Sequence, residues 1–347
     1  MPFTMEQVQN VANAALDFHM KKGTPKDQHI QDKPLLSRLR KKQKSIPGGK
    51  GRVELPIVLD NDSNFQGFEY DDPVTYGSPA KIRRVSAPWR LFHDGIQVTM
   101  HELIHDGIDI TDSTDGKGKS ENTQRERTML ANIMDHKVKQ MQESYDRGLN
   151  TLFWRDGTQS ALAFPGVQGW VVDTPTAATV VGGIDQAANA RWRNRASLSI
   201  SLGDTTGASQ AVIRTLDYEL PQLRRYGGKP SVGFMGSDFM DRLKAERRNK
   251  GDYSQTGFEK SQDVAVGEIR FDGISFFYDP TLDDLGYAKR LYLLDESAIC
   301  PFVVEGQDGK KHNPARPENK YVFYMAKTWV GGMIADRRNG CGVYAFT

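Results

Sequence analysis

The sequence predicts an α+β fold, and three observations carry that prediction. A helical stripe of about 30 residues stands in the first half of the chain. Before it, apolar residues alternate at period two on either side of a long polar stretch. After it, short apolar strands and amphipathic helices follow one another to the C-terminus. The 347 residues suit about two domains at roughly 150 residues each. Hydrophobic residues make up 38% of the chain, which supports a core and excludes wholesale disorder. Lys and Arg number 46 against 44 Asp and Glu, a net charge of +2 that excludes a chain basic throughout. No apolar run approaches the roughly 20 residues of a membrane-spanning helix. No signal peptide is visible, because the first Lys is Lys21 and Glu6 and Asp17 interrupt the N-terminus. Cys300 and Cys341 make no disulfide framework, so a reducing cytoplasm is the default place of synthesis.

The elements follow in order. Thr4–Lys22 reads as a helix. Thr4 and Gln7 fit a capping box, Val8, Val11, Ala12, Ala15 and Phe18 share a stripe, and Gly23 and Pro25 stop it. Lys21–Arg52 holds 11 Lys or Arg against Asp27 and Asp32, a net of +9, leaving −7 for the rest. Pro25, Pro34, Pro47 and the run Gly48-Gly49-Lys50-Gly51 predict an extended arm with little core of its own. Two readings stand: an arm that meets nucleic acid or an acidic neighbouring surface, and a solvated linker.

Val53, Leu55, Ile57 and Leu59 fall on one face of a strand, and Pro56 places that strand at a sheet edge. Asp60–Ser86 is polar and rich in turn signals. Ile96, Val98 and Met100 then alternate against Gln97, Thr99 and His101. These two strands predict a long projecting arm that is marginal alone and needs something else to pack against. In the helix Ser120–Leu152, residues Leu130, Ile133, Met134, Val138, Met141, Tyr145, Leu149 and Leu152 recur at three- and four-residue steps. It spans about 45 Å, and its stripe reads as core-facing. Ala208–Arg225 and Ser237–Lys250 follow as helices. Ser231–Met235, Arg290–Leu294, Tyr321–Met325 and Trp329–Ala335 read as strands, and Glu268–Tyr278 as a bent strand or a pair around Gly273. Gly342–Thr347 closes the chain, and no internal repeat is visible.

One motif could carry chemistry. His101-Glu102-Leu103-Ile104-His105 matches the zinc-protease signature, in which a helix sets both histidines on one metal and the glutamate acts as general base. The period-two approach through Ile96, Val98 and Met100 predicts a strand here instead. That would hold the histidines about 13 Å apart, too far to share a zinc. Asp106-Gly107 leaves no room for a continuing helix, Ile108 and Thr111 stand where an extended signature needs Gly and His, and Glu121 is the nearest downstream acid. His101, Glu102 and His105 are therefore not assigned as metal ligands. Gly118-Lys119-Ser120 resembles the end of a phosphate-binding loop, but Ser113 replaces its first glycine. No Gly-x-Ser-x-Gly is present, and Cys300 beside Pro301 reads as core. Asp283-Asp284 and the pair Asp60, Asp62 read as turns. No catalytic residue and no cofactor is assigned.

The order of parts resembles a known family. A basic arm, a long two-stranded loop, a spine-like helix, a mixed α/β region and late returning strands are similar to the major capsid protein of tailed bacteriophages, with the Hong Kong 97 type fold. Four segments strengthen the resemblance: Thr179–Asp185 followed by Arg191-Trp192-Arg193-Asn194; Ser231–Lys250; Phe271–Pro280 followed by Leu291–Leu294; and Lys327–Gly332. It covers nearly the whole chain and rests on order and spacing.

The resemblance implies domains. Residues 1–52 would be the N-terminal helix and arm, and 53–112 the extended loop. Residues 113–201 and 297–347 would be a peripheral domain with the spine helix at 120–152, and 202–296 an axial domain. It implies a structural protein without enzymatic activity, assembling as hexamers and pentamers into an icosahedral virion shell around double-stranded DNA that meets the inner face without sequence specificity. Synthesis and assembly would take place in the host bacterial cytoplasm. Scaffold, portal and decoration proteins would be further partners, with no membrane. Lys41, Lys42, Arg52, Arg191, Trp192, Arg193 and Asn194 would serve as assembly contacts, and Gly182 and Gly183 as positions of special backbone conformation. The bacterial cargo-enclosing nanocompartment resembles the same fold, and a zinc metallopeptidase on the His101 motif is the other alternative. The Gly182–Asn194 region favours the virion. No Lys–Asn cross-link pair can be mapped.

Overall fold

The computed structural model describes residues 30–48, 51–59, 64–77, 82–105, 124–204, 206–249, 269–312 and 322–347. The expected helix Thr4–Lys22, the Gly118-Lys119-Ser120 segment and Glu121 lie outside the described residues. The chain divides into two compact units. One holds the described residues of Met1–Gln31, Leu91–Gly148 and Gly306–Trp329, and the other those of Asp32–Arg90, Leu149–Glu305 and Val330–Thr347.

Helix α1 (Pro34–Lys42) opens on a proline, which loses no bond in a first turn, and closes on Arg40, Lys41 and Lys42, which suit the negative end of a helix. It buries Leu35, Leu36 and Leu39. This corrects the expectation of an extended arm with little core: three leucines on one helical face form a stripe that the surrounding cations hid. Arg38 lies 4.3 Å over the Phe277 ring and 2.8 Å from Glu296, so its charge is used within the chain. Strand β1 (Lys44–Ile46) then pairs in parallel with residues 302–304.

Strands β2 (Arg52–Val58) and β3 (Ile82–Pro88) form an antiparallel ribbon, with Leu55 opposite Val85 and Val58 opposite Ile82. Pro56 occupies the expected edge strand, since among the described residues β2 pairs with β3 alone. The return strand is a correction. It is β3, where Val85 and Ala87 alternate as buried residues behind Arg83, Arg84 and Ser86. Strand β4 (Arg90–Thr99) pairs with the long strand near the C-terminus instead.

Helices α2 (Met100–His105), α3 (Gln124–Trp154) and α4 (Val167–Trp170) follow. In α3, Met141, Tyr145, Leu149 and Phe153 recur every fourth residue and are buried, so the stripe faces core as expected. Strands β5 (Val180–Val181) and β6 (Ile184–Asp185) form a tight hairpin. The remaining elements are β7 (Arg195–Ile200), α5 (Ala211–Arg224), β8 (Val232–Met235), α6 (Ser237–Asn249), β9 (Ile269–Phe271), β10 (Ile274–Tyr278), α7 (Pro280–Asp284), β11 (Arg290–Leu294), β12 (Ile299–Val304), β13 (Lys310–His312), β14 (Val322–Ala335) and β15 (Gly342–Phe346). The expected strands Tyr321–Met325 and Trp329–Ala335 are one strand, because Ala326-Lys327-Thr328 continue the ladder opposite β13.

The larger unit is built on a six-stranded sheet in the order β7-β15-β11-β8-β10-β9. Strands β9 and β10 are an antiparallel pair turning at Asp272-Gly273, with φ of 48° and 76°, the left-handed pair that tight hairpins require. Val212, Ile213, Leu216, Leu220 and Leu223 of α5 and Phe239, Met240 and Leu243 of α6 pack with Leu291, Leu293 and Phe276 of the sheet. Tyr292 points the other way and meets Trp154 at 5.3 Å between ring centroids. A strand buried on both faces reads as an unbroken apolar run, which is why Arg290–Leu294 is legible to the residue.

Polar groups lock this core. Asn150 accepts from the Leu36 N–H at 3.1 Å and donates to Thr281 Oγ1 at 2.8 Å. Asp279 caps α7 through the Thr281 N–H and accepts from Trp154 Nε1 at 2.8 Å, while burial pushes its carboxyl above the usual range. On α6, Glu246 accepts the Val212 and Ile213 N–H groups at the start of α5, and Arg242 bridges Glu246 to Asp204 at 2.9 and 2.8 Å. The Arg242 hydrogen bond holds the Asp204 carboxyl below its ordinary value. In the smaller unit Phe92 and Trp329 are 6.0 Å apart, and Lys327 lies 4.1 Å over Tyr145 while donating to Gln142 at 2.9 Å.

Candidate assembly surface

Among the described residues, the β2–β3 ribbon and its loop carry the longest run of exposed apolar side chains. Its loop, residues 64–77, presents Phe65, Phe68, Tyr70 and Tyr76 to solvent, and Val58 and Ile82 at its base are also exposed. The loop is nonetheless organised. Asn64 donates to Gln66 Oε1 and to the Thr75 carbonyl, both at 3.1 Å, and Thr75 donates to Gln66 at 2.9 Å, tying the two limbs together. The Asp72 N–H bonds to the Glu69 carbonyl at 3.0 Å and closes the tip. Four exposed aromatics within 12 residues form a patch of the kind that marks an interaction site. The sequence reading treated this stretch as polar loop and missed it; aromatics between Gly, Asp and Pro were the available signal. Arg83 and Arg84 flank the ribbon, and Arg84 stands 3.5 Å from Glu54.

The base of the ribbon is held by the β5–β6 hairpin, where the Ser86 N–H bonds to the Gly182 carbonyl at 2.9 Å. Gly182 and Gly183 have φ of 61° and 85°, and a Cβ on Gly182 would stand 2.7 Å from the Trp170 ring. Both therefore hold special backbone conformations.

Of the expected assembly contacts, Lys41, Lys42, Arg52 and Arg191 are exposed. The other three bind the chain to itself. Trp192 is buried and donates to the Val181 carbonyl at 3.0 Å, and Arg193 donates to the Gln186 and Ala187 carbonyls at 2.7 and 2.6 Å. Buried Asn194 exchanges hydrogen bonds with the backbone of Val172. An aromatic-basic run looks like surface in sequence, but here Trp192, Arg193 and Asn194 close a local fold. Arg338 completes that fold. It is buried and donates to the Trp170 carbonyl at 2.6 Å and to Asn194 Oδ1 at 2.9 Å, with Gln186 Oε1 at 3.3 Å. Burial pulls its guanidinium down to about 10, still charged at neutral pH.

His101 and His105 need a correction. They lie on helix α2, not on a strand, because β4 ends at Thr99, whose hydroxyl accepts the Glu102 N–H at 3.3 Å. The ring centroids are 4.7 Å apart rather than a strand's distance. Glu102, the would-be base, is ion-paired with Lys137 at 2.6 Å. Among the described residues no group of three His, Cys, Asp or Glu could hold a metal, and no helix is long and apolar enough to cross a membrane.

No protein-family model matches the chain, and no curated protein is similar to it in sequence. Solved structures are similar to it in fold. The capsid asymmetric unit of cyanophage A-1(L) superposes with a TM-score of 0.61 at 13% identity, covering 95% of this chain and 97% of that one. The capsid of Myoviridae phage XM1 gives 0.59 at 11%, covering 96% and 98%. The capsid of cyanophage P-SCSP1u gives 0.59 at 10%, covering 95% and 94%. At these identities the likeness is one of fold, and it runs from end to end of each chain. The molecule has a mixed α/β phage-capsid fold.

Proposed function

We propose that the chain is the major capsid protein of a tailed bacteriophage, with the Hong Kong 97 type architecture. The observation that carries this is the end-to-end match to phage capsid chains, with nothing substantial left over on either side. In this reading α3 is the spine of the peripheral domain, assigned to residues 113–201 and 297–347. Residues 202–296 form the axial domain, whose sheet strands β7 and β15 complete, and residues 53–112 form the extended loop. The chain is structural, not enzymatic. It assembles as hexamers and pentamers into an icosahedral shell, located in the virion after synthesis in the host bacterial cytoplasm. Double-stranded DNA lies against the inner face, and scaffold, portal and decoration proteins are further partners.

The physical support is the ribbon. Its aromatics are a liability on a lone chain and useful where each copy lays them on a neighbour. Lys41, Lys42, Arg52 and Arg191 supply exposed cations for the same or adjoining contacts, and symmetry repeats each contact around a closed shell. Negative-stain electron microscopy and light scattering of the purified full chain test the reading. Closed shells or tubes are the expected result. A chain that stays monomeric under every assembly condition, including co-expression with its scaffold, overturns it.

A further inference from the structure

The correction at α2 opens a site that the capsid reading does not use. His101 and His105 are four positions apart on a helix, the spacing at which side chains become neighbours. Both are exposed, with ring centroids 4.7 Å apart and ring planes at 88°. Among the described residues neither imidazole is hydrogen-bonded. Each neutral imidazole offers one lone-pair nitrogen, and a zinc–nitrogen bond spans about 2.0–2.1 Å, so a single ion between the two rings reaches both after small side-chain rotations. The nearby ammonium of Lys137 is neutralised by Glu102 at 2.6 Å and so does not repel a cation strongly.

We infer that His101 and His105 form a two-point chelating site for one divalent transition ion of the imidazole-binding class, Cu2+, Ni2+ or Zn2+. Water fills the other coordination positions. The site binds metal without peptidase chemistry, since Glu102 is engaged by Lys137 and no described residue supplies a third ligand. Imidazole ligands favour Cu2+ over Ni2+ and Zn2+, whereas Mg2+ wants oxygen ligands and is excluded.

Isothermal titration of the untagged full chain with Cu2+, Ni2+ and Mg2+ tests this, alongside H101A, H105A and H136A. His136 contacts Gln140 through Nε2 at 3.0 Å and serves as a control for histidines in general. The expected result is one equivalent of Cu2+, weaker Ni2+ and no Mg2+. H101A and H105A should each weaken Cu2+ by about tenfold or more, because even the outer partners of a metal ligand contribute roughly 10–100-fold. H136A should bind like the native chain. Absence of Cu2+ and Ni2+ binding overturns the inference, as does binding that H101A and H105A leave unchanged or that H136A weakens equally. The more conservative H101Q, compared by circular dichroism, separates loss of a ligand from loss of fold.

Discussion

The six-stranded sheet and the β2–β3 ribbon use the same kinds of residue for opposite ends. In the sheet, Phe234 and Phe276 are buried among aromatic and aliphatic neighbours of the same chain. In the ribbon's loop, Phe65 and Phe68 are 100% and 68% exposed. Apolar area stabilises a fold only when it leaves water, at about 25 cal/mol per Å2. The sheet collects that stabilisation alone, while the ribbon can collect it only against another surface. Within one chain, the sheet is therefore a folding device and the ribbon, in the proposed function, an association device.

Five variants should break or sharpen this contrast. Phe276→Ala empties a packed site and should lower the unfolding free energy by about 3–5 kcal/mol in urea denaturation. Arg242→Met leaves Glu246 buried without its cation and should destabilise by about 3 kcal/mol or more. The same network carries a pH signature. The Asp204 carboxyl is held below 3.8, so its stabilisation is present above that value and is lost as the pH falls through the lower, folded-state value. Asp204→Asn should flatten that part of the acid limb in thermal melts. Gly182→Ala, at positive φ and against Trp170, should cost about 1–3 kcal/mol, read as a lowered melting temperature. Replacing Phe65, Phe68, Tyr70 and Tyr76 together by Ser should move the free chain's stability by only about 0.5 kcal/mol or less. Particle yield by light scattering should nevertheless collapse. A large stability loss in this last variant would erase the distinction between the two regions.

Legibility followed burial geometry. Arg290–Leu294 is covered on both faces and announces itself as an apolar run. The α3 stripe shows because one helical face repeats every fourth residue. Strand β3 stayed hidden, since only Val85 and Ala87 are buried on it and Arg83, Arg84 and Ser86 stand beside and between them. Helix α1 was masked by cations around three leucines. At α2 the period-two rhythm of β4 suggests a strand as far as His105, but the turn that Thr99 starts ends it six residues earlier, and the histidine pair lies on a helix instead. The roles of Trp192, Arg193 and Asn194 depend on partners such as Val172 and Arg338, distant in sequence, which no local pattern reveals.

Pro56 has a consequence for timing. A proline within an edge strand turns its missing N–H to the open side, so a second strand laid along β2 would meet a break in the backbone ladder at that residue. At that edge of β2, a partner is gripped mainly through side chains. Such a grip lets go more readily than a full ladder, so in the shell proposed above a subunit that joined in the wrong orientation could leave and try again. Proofreading of this kind allows many weak joins to converge on one geometry.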